Sequence, residues 1–322
     1  MKKNKKIILV TGVAGMLGSE LVSNLVKKKN YIIIGIDNFT LGKKQFIKKF
    51  LNNNNFKFFN IDLSKKVKNR KLINLLHKNI LDEVWHLAAN SDIRSGINNP
   101  NVDFKNTFLT TYYTLDLVKK NINKNTKLIF TSSSAVFGYI KKNIDENTPA
   151  MYPCSNYGSF KLASEGIISS FCYLNNIQSF IFRLPNVVGK NLTHGVVFDL
   201  SNKIKNKKNS FLQVLGNGDQ CKPYSFSTEI LKSMLFVIKR KHIKFINYYN
   251  LGTNDKGVTV KKIVSLLKKK YKYEKKISYQ NNSSGWKGDI PKYKYSTKKI
   301  NRLGYKFSLN SLDAINLTIS YL

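Results

Sequence analysis

An α/β fold, a doubly wound parallel sheet followed by a smaller C-terminal α/β domain, is the architecture this sequence predicts. Three observations carry it. Short apolar runs of strand length alternate with helix-length segments through residues 1–185. A glycine-rich turn separates the first such strand from the first helix. The later strands end in small or hydroxyl residues, Ala88-Ala89 and Ser132-Ser133-Ser134, where a backbone must come close to something.

The first stretch, Lys6 to Ser23, reads KIILVTGVAGMLGSELVS. Ile7 to Val10 are uninterruptedly apolar, as suits a strand buried on both faces of a parallel sheet. Met16, Leu17, Leu21, Val22 and Leu25 then recur at helical spacing. Gly12, Gly15 and Gly18 stand between and within these segments, three apart. Strand, glycine turn and helix is the construction that sets a helix N-terminus against a pyrophosphate. Asp37 closes the next apolar run, Tyr31 to Ile36, about where a ribose-binding carboxylate sits.

After a loop over Asn38 to Gly42 comes a lysine-rich helical stretch, and LNNNN marks a turn. Phe56 to Ile61 reads as a strand ending in Asp62-Leu63, and Lys71 to His77 as a helix. Glu83 to Ala89 reads as the fourth strand, Val102 to Lys120 as a long helix and Lys127 to Thr131 as the fifth strand. Past about residue 186 the rhythm loosens. A helix over His194 to Lys208, a strand and turn over Gln213 to Asp219, and a short strand over Tyr248 to Gly252 are expected there. Helices over Thr259 to Lys270 and Leu309 to Leu322 follow. The expected division is a first domain over 1–185, to which the chain returns near 222–252, and a second over 186–322.

Hydroxyls at Ser132 to Ser134 lie at the C-terminal end of the fifth strand, where ligands of open α/β sheets bind. Tyr157 and Lys161 follow four apart, so a helix puts phenol and ammonium on one face. A lysine there, with a positive nicotinamide nearby, lowers the phenol pKa, so that a phenolate can remove a proton at neutral pH. A serine from the strand end can hydrogen-bond the same substrate oxygen.

Composition sets the outer limits. The chain has 322 residues, enough for a sizeable core and two domains, with 55 Lys+Arg against 18 Asp+Glu and a formal charge of +37. Only five of the basic residues are arginine (Arg70, Arg94, Arg183, Arg240, Arg302), and the lysines run with asparagine along the whole chain. Nucleic-acid readers favour arginine, whose planar fork matches phosphates and guanine edges, so no nucleic-acid partner is expected. The positive field instead suits an anionic small substrate. No run of about 18 apolar residues is present, and the first apolar run is too short for a signal-peptide core, so a cytoplasmic location without a membrane partner is expected. Cys154, Cys172 and Cys221 are isolated and the four histidines scattered, so no metal site is expected.

In order and spacing these pieces resemble one family, the extended short-chain dehydrogenase/reductases of the NAD-dependent epimerase/dehydratase group. Members resembling UDP-glucose (UDP-galactose) 4-epimerase match best. TGVAGMLGSEL, GIDN, NIDL, HLAANSDIRSGINNP, FTSSSAVFG, YGSFKLASE, FRLPNVVG, LGNGDQCKPYSF, YNLGT, WKGDIPKY and LGYKFSLNS carry the likeness over nearly the whole chain. The resemblance implies a Rossmann-type sheet holding NAD. It places Gly12, Gly15 and Gly18 under the pyrophosphate with Met16 and Leu17, and Asp37 with Asn38 at the adenosine ribose. Asp62 and Leu63 would flank adenine, and Leu87, Ala88 and Ala89 would line the cofactor path. Asn106 would lie near the nicotinamide side, and Pro185, a further cofactor contact, would begin with Asn186 the segment leading to the sugar nucleotide. Asp37 favours NAD over NADP, since a 2′-phosphate would meet a carboxylate. Ser133, Tyr157 and Lys161 match the catalytic trio, and Ser133, Asn186, Lys222 and Asp289 match positions that contact the nucleotide sugar. The GxxGxxG spacing is that of the short-chain family.

The chemistry implied is oxidation of a UDP-hexose at C4 and return of the hydride to the other face, in a homodimer joined through the helices at Val102–Lys120 and Tyr157–Cys172. Ser134 and Ala135 stand where family 4,6-dehydratases carry an Asp-Glu pair, which disfavours dehydration. A nucleotide-sugar reductase or dehydrogenase and a non-catalytic dinucleotide-binding regulator are the alternatives. Other departures are Phe137 for tyrosine, Phe160 for a small residue, Lys222 for arginine, Thr228-Glu229 for an aspartate-containing turn, and Trp286 for arginine. The last implies a pyrophosphate contact from Lys287.

Overall fold

Six strands from the first part of the chain and a seventh over Ile246–Asn250 form one parallel sheet. The computed structural model describes residues 5–140, 143–148, 151–206, 208, 210–286, 288–293 and 296–322. The strands are β1 (Lys6–Thr11), β2 (Tyr31–Asp37), β3 (Phe56–Asn60), β4 (Glu83–His86), β5 (Lys127–Ser133) and β6 (Gln178–Leu184). Their spatial order is 3-2-1-4-5-6, with the seventh strand beyond β6. The order reverses beside β1, and crevices for ligands form at such a switch point.

The crossovers carry α1 (Met16–Leu25), α2 (Lys44–Ile47), α3 (Arg70–His77), α4 (Pro100–Asp103), α5 (Thr110–Val118) and α6 (Asn156–Leu174). Ile7 to Val10 of β1 are all apolar because both faces of the strand are covered. Ile8 and Val10 pack with Leu21, Val22 and Leu25 of α1, whereas Ile7 and Leu9 pack with Leu72 and Leu76 of α3, Leu115 and Val118 of α5 and Ile168 of α6.

The remaining chain forms β7 (Asn186–Val188), α7 (Val196–Lys205), β8 (Leu212–Val214), β9 (Cys221–Lys222), β10 (Tyr224–Phe226) and α8 (Ser227–Ile238). The seventh sheet strand, β11, comes next, followed by β12 (Val258–Thr259), α9 (Val260–Tyr271), β13 (Ile277–Tyr279), α10 (Lys298–Arg302) and α11 (Ser311–Tyr321). Three two-stranded sheets, β10-β7, β12-β9 and β13-β8, gather around a separate apolar cluster of α7, α9 and α11. Helix α8 instead packs on α1 through Ile230, Leu231, Met234, Val237 and Ile238.

Several boundaries differ from those expected. The fourth strand stops at His86, so Leu87 to Ala89 are loop and free to face a ligand. The long helix expected over Val102 to Lys120 is broken into α4, a π-helical segment Phe104–Leu109 and α5. The helix expected from His194 begins at Val196, because Gly195 has φ +91°, and ends at Lys205. The strand near 248–252 is shifted to Ile246–Asn250, where it continues the sheet.

Candidate active site

One cavity of about 780 Å³ runs across the C-terminal ends of β1, β2, β4 and β5 and on between α6 and the β7–α9 region. At its β1 end, the glycines set backbone approaches that side chains would prevent. Gly12 has φ +72°, and a Cβ there would lie 2.7 Å from the Ala88 amide nitrogen. A Cβ on Gly18 would lie 2.0 Å from the Gly12 carbonyl oxygen. Gly15 precedes α1 without a side-chain cap, and Met16 and Leu17 line the cavity over the first turn. The unpaired N–H groups of a helix start are the natural donors to a phosphate.

Asp37 lines the same end from the tip of β2. Its carboxylate accepts from the Ala14 N–H at 2.9 Å and the Phe39 N–H at 2.8 Å. Burial pushes its pKa up, and the backbone donors at Phe39, Ala14 and Asn38 oppose that shift. A carboxylate has about four acceptor sites, so two amides leave room for ribose hydroxyls. Asn38, Leu63, Leu87, Ala88, Ala89, Asn106 and Pro185 also line the cavity. Asp62 lies between Ile61 and Leu63, which line the cavity, and its Oδ1 accepts from the Ser64 N–H at 2.9 Å. The open glycine turn, uncapped helix start and carboxylate together fit a dinucleotide.

Deeper in, Ser133, Tyr157 and Lys161 converge. Ser155 caps α6 by accepting from the Gly158 N–H at 3.1 Å. A Cβ on Gly158 would lie 2.5 Å from the Ala135 carbonyl oxygen, so this glycine lets α6 seat against the turn after β5. Tyr157 is thereby brought within hydrogen-bonding reach of Ser133. Lys161 is buried; its Nζ donates to the Thr131 carbonyl at 2.6 Å and lies 5.9 Å from the Tyr157 ring centroid.

The electrostatics of the chain alone oppose the expected phenolate. Burial pushes the Tyr157 phenol up to about 12, with the Ser133 hydrogen bond pulling down and Asp103 adding to the rise. Burial also lowers Lys161 to about 7 against the pull of Glu165 and Asp103. The tyrosine therefore carries its proton until a further positive charge arrives.

The groups that hold this trio carry no local motif. His86 is buried: its ring contacts Thr11 Oγ1 at 2.8 Å through Nδ1 and Thr111 Oγ1 at 2.9 Å through Nε2. Thr111 donates to the Thr107 carbonyl at 2.8 Å, which leaves its oxygen to accept from His86 and assigns the imidazole proton to Nε2. Arg183 grips Glu165 through Nε at 3.0 Å and Nη2 at 2.7 Å, between the rings of Phe137 and Tyr248. This buried pair fastens α6 to β6. Phe160 stacks with Phe104 and Phe108 across to the π segment, away from Lys161's partner on β5.

At the far end, Asn186, Lys222 and Asp289 line the cavity as expected. Asn186 donates to the Pro223 carbonyl at 3.2 Å, and Lys222 is paired with Asp289. Asp289 also accepts from the Gly285 N–H at 3.1 Å, and Trp286 lines the wall beside it. Lys287 lies outside the described residues. Arg94 and Asp199 pair across the mouth, and Tyr293 reaches Ser134 at 3.3 Å. Nothing local in the sequence announces these contacts, whose partners are 105 and 159 residues apart. Glu229 is structural, accepting from Ser308 and Leu309. Among the described residues no three His, Cys, Asp or Glu side chains gather as a metal ion would require.

Known proteins share the sequence and the fold of this chain. A Methanocaldococcus jannaschii protein provisionally named UDP-glucose 4-epimerase is 28% identical over 98% of both chains. A crystal structure of UDP-galactose 4-epimerase is 25% identical with a TM-score of 0.79, again over 98% of both chains. At 24% identity, the UDP-glucuronic acid 4-epimerase of Bacillus cereus, crystallised with UDP-glucuronic acid and NAD, shares the fold with a TM-score of 0.84 over 98% of both chains. The model of the NAD dependent epimerase/dehydratase family matches residues 8–252, which include the glycine turn, Asp37, Ser133, Tyr157 and Lys161. With that stretch, more than half of its length, the chain belongs to the NAD dependent epimerase/dehydratase family.

Proposed function

We propose that this chain is a UDP-hexose 4-epimerase, with UDP-glucose and UDP-galactose as its substrate pair. The observation that carries the reading is the convergence of Ser133, Tyr157 and Lys161 in the cavity that Gly12, Gly15 and Asp37 open onto. NAD is the cofactor; when bound it accepts a hydride from the sugar and gives it back. Gly12, Gly15, Gly18, Met16 and Leu17 accommodate its pyrophosphate, and Asp37 and Asn38 its adenosine ribose. Leu63, Leu87, Ala88, Ala89, Asn106 and Pro185 form the walls.

Tyr157 is the base for the C4 hydroxyl and returns the proton to the 4-keto sugar after it has turned over. Ser133 hydrogen-bonds the same oxygen. Lys161 supplies positive charge to the phenol, and a cationic ring nearby adds the rest that a phenol near 12 requires. Asn186, Lys222 and Asp289 take the nucleotide and its phosphates, Lys222 exchanging Asp289 for a phosphate oxygen. Ser134 and Ala135 offer no carboxylate for water loss, which supports epimerisation over dehydration.

Residues 1–185, with a return near 222–252, make up the NAD-binding domain in this reading, and 186–322 the sugar-binding one. Helix α8 on α1 and β11 in the sheet support the return. A homodimer through α5 and α6 is supported by half-exposed Tyr112 and the partly buried Phe104, Phe108 and Phe160 on that side. A cytoplasmic location fits a nucleotide-sugar substrate. No helix among the described residues is long and apolar enough to cross a membrane.

The test is incubation of the purified protein with a panel of UDP-hexoses, scored by product stereochemistry and by NADH. Interconversion at C4 with NAD that stays bound through dilution is expected. Stoichiometric NADH release would replace the reading with a dehydrogenase, and no turnover on any sugar with a regulator. Tyr157→Phe is expected to lower turnover by about 10³-fold while NAD stays bound.

A further inference from the structure

In a parallel sheet every helix-to-strand connection returns to the same edge, the N-terminal ends of the strands, opposite the cavity. Here those connections share an unusual composition. Lys27, Lys28 and Lys29 lie between α1 and β2, Lys120 and Lys124 between α5 and β5, and all are exposed. Between α8 and β11 run Lys239, Arg240, Lys241, His242, Ile243, Lys244 and Phe245. Among all the helix-to-strand connections of the sheet's α1, α3, α5, α6 and α8, Asp82 is the single carboxylate, and it is engaged by the Ile7 N–H at 2.7 Å.

Set into this basic face are large, exposed apolar side chains. Ile243 is 94% exposed, Leu174 75%, Tyr173 68% and Ile80 48%. Tyr173 and Phe245 meet edge to face at 6.3 Å, so the end of α6 and the α8–β11 connection form one patch. Lysine alone would not single out this face, because lysines cover the whole protein. The combination does: aliphatic tips standing beyond the backbone, ringed by cations and nearly free of acids. A nucleic-acid surface would want several arginines and freely presented rings, whereas Arg240, the one arginine of these connections, lies over the Phe236 ring at 4.3 Å, and Tyr173 and Phe245 face each other. Branched aliphatic tips gain by leaving water for hydrocarbon, while the lysines gain from a negative headgroup layer.

We propose that this face docks on an anionic lipid surface, with Ile243 and Leu174 entering the headgroup–acyl boundary. The cavity, at the opposite ends of the same strands, then opens away from the bilayer. Substrate exchange stays unobstructed.

Cosedimentation of the full chain with phosphatidylcholine vesicles, and with vesicles holding equal parts of phosphatidylglycerol, tests this at physiological ionic strength. Binding to the anionic vesicles only is expected. The double variant Leu174→Ser, Ile243→Ser, which changes no charge and no packed side chain, is expected to weaken that binding at least about tenfold. Lys268→Gln with Lys269→Gln, on α9 and off the face, is expected to bind as the parent does. Four outcomes would overturn the proposal. One is absence of vesicle binding; another is binding unmoved by the serine pair, which would mean diffuse charge only. The third is a change of oligomeric state in the serine pair, which would make the patch a contact between copies. If duplex DNA binds as tightly and is equally weakened by the serine pair, the face reads nucleic acid instead.

Discussion

The two ends of the cavity are built by different physics. The cofactor end rests on the seven-stranded sheet, whose strands are fixed by apolar runs buried on both faces and by backbone ladders. The sugar end rests on three sheets of two strands each, with strands of two or three residues, too short to fix register by pattern. What positions it is a handful of carboxylates spent on backbone amides far away in sequence. Glu229 accepts from the Ser308 N–H at 2.8 Å and the Leu309 N–H at 3.1 Å. Asp255 accepts from the Ser311 N–H at 2.5 Å and from the same residue's hydroxyl at 2.6 Å. In a chain with 18 acidic residues, their use as structural acceptors marks where apolar patterning was not enough. A rigid, pattern-determined half thus holds the invariant cofactor, and a half determined by single contacts shapes the sugar pocket.

The sharpest way to break the cofactor half is to add one methyl group. Gly18→Ala places a Cβ 2.0 Å from the Gly12 carbonyl oxygen, a clash with backbone that no rotamer relieves. Helix α1 must move off the turn, with an expected loss of about 3 kcal/mol of stability. NAD retention should fall with it, since the displaced helix start is the phosphate-binding element. Chemical denaturation and the ratio of bound NAD to protein measure both. A variant that keeps full NAD and stability would mean that the turn is not the rigid element described here.

The corresponding break in the sugar half is electrostatic. Glu229→Gln keeps the shape but removes the charge, and turns an NH2 group toward donors at Ser308 and Leu309. The expected cost is about 2 kcal/mol, as for hydrogen bonds to charged groups. Because α8 carries Glu229 and packs on α1, the loss should appear as a lower unfolding midpoint with bound NAD still present in the folded protein. Loss of NAD at unchanged midpoint would invert the assignment of roles.

This contrast also explains what could be read from the chain. Ile7 to Val10, Tyr31 to Ile36 and the glycine turn were legible because period and turn chemistry are local. The trio at Ser133, Tyr157 and Lys161 was legible as spacing on a strand end and a helix. The turn at Asp62, whose Oδ1 accepts from the Ser64 N–H, left no mark in NIDL, because a carboxylate that closes its own loop reads like any other. The π segment Phe104–Leu109 inside the long helix left no trace, since one extra residue per turn does not disturb an apolar pattern that is already mixed. Lys222 with Asp289, Arg94 with Asp199 and Tyr293 with Ser134 depend on tertiary closure and on no period at all. The raised phenol of Tyr157 was missed for a related reason: spacing showed that Lys161 is near, but not that burial would push the phenol up to about 12 and pull the lysine down to about 7.

The gentlest probe of the comparison is acid, because it acts on the sheet half through one buried imidazole. Burial lowers His86 to about 3, with the charge of Lys161 acting in the same direction. The unfolded chain takes up the proton near the ordinary value of 6.5, so between about 6.5 and 3 it binds more protons than the native state. This group's contribution to stability is therefore complete above 6.5 and is lost as pH falls, at up to about 1.4 kcal/mol per pH unit. Burial raises the carboxyls of Asp37, Asp103 and Glu146, and these act with the opposite sign nearer their own range, which leaves 6.5 to 5 as the clean window. His194, also lowered by burial, acts with the same sign as His86. Subtracting the pH dependence of His86→Gln from that of the parent isolates His86. Urea midpoints at pH 7 and pH 5 should fall more in the parent than in the variant. Equal falls would show that the imidazole takes a proton without unfolding, and that the Thr11–His86–Thr111 chain is looser than a rigid sheet half requires.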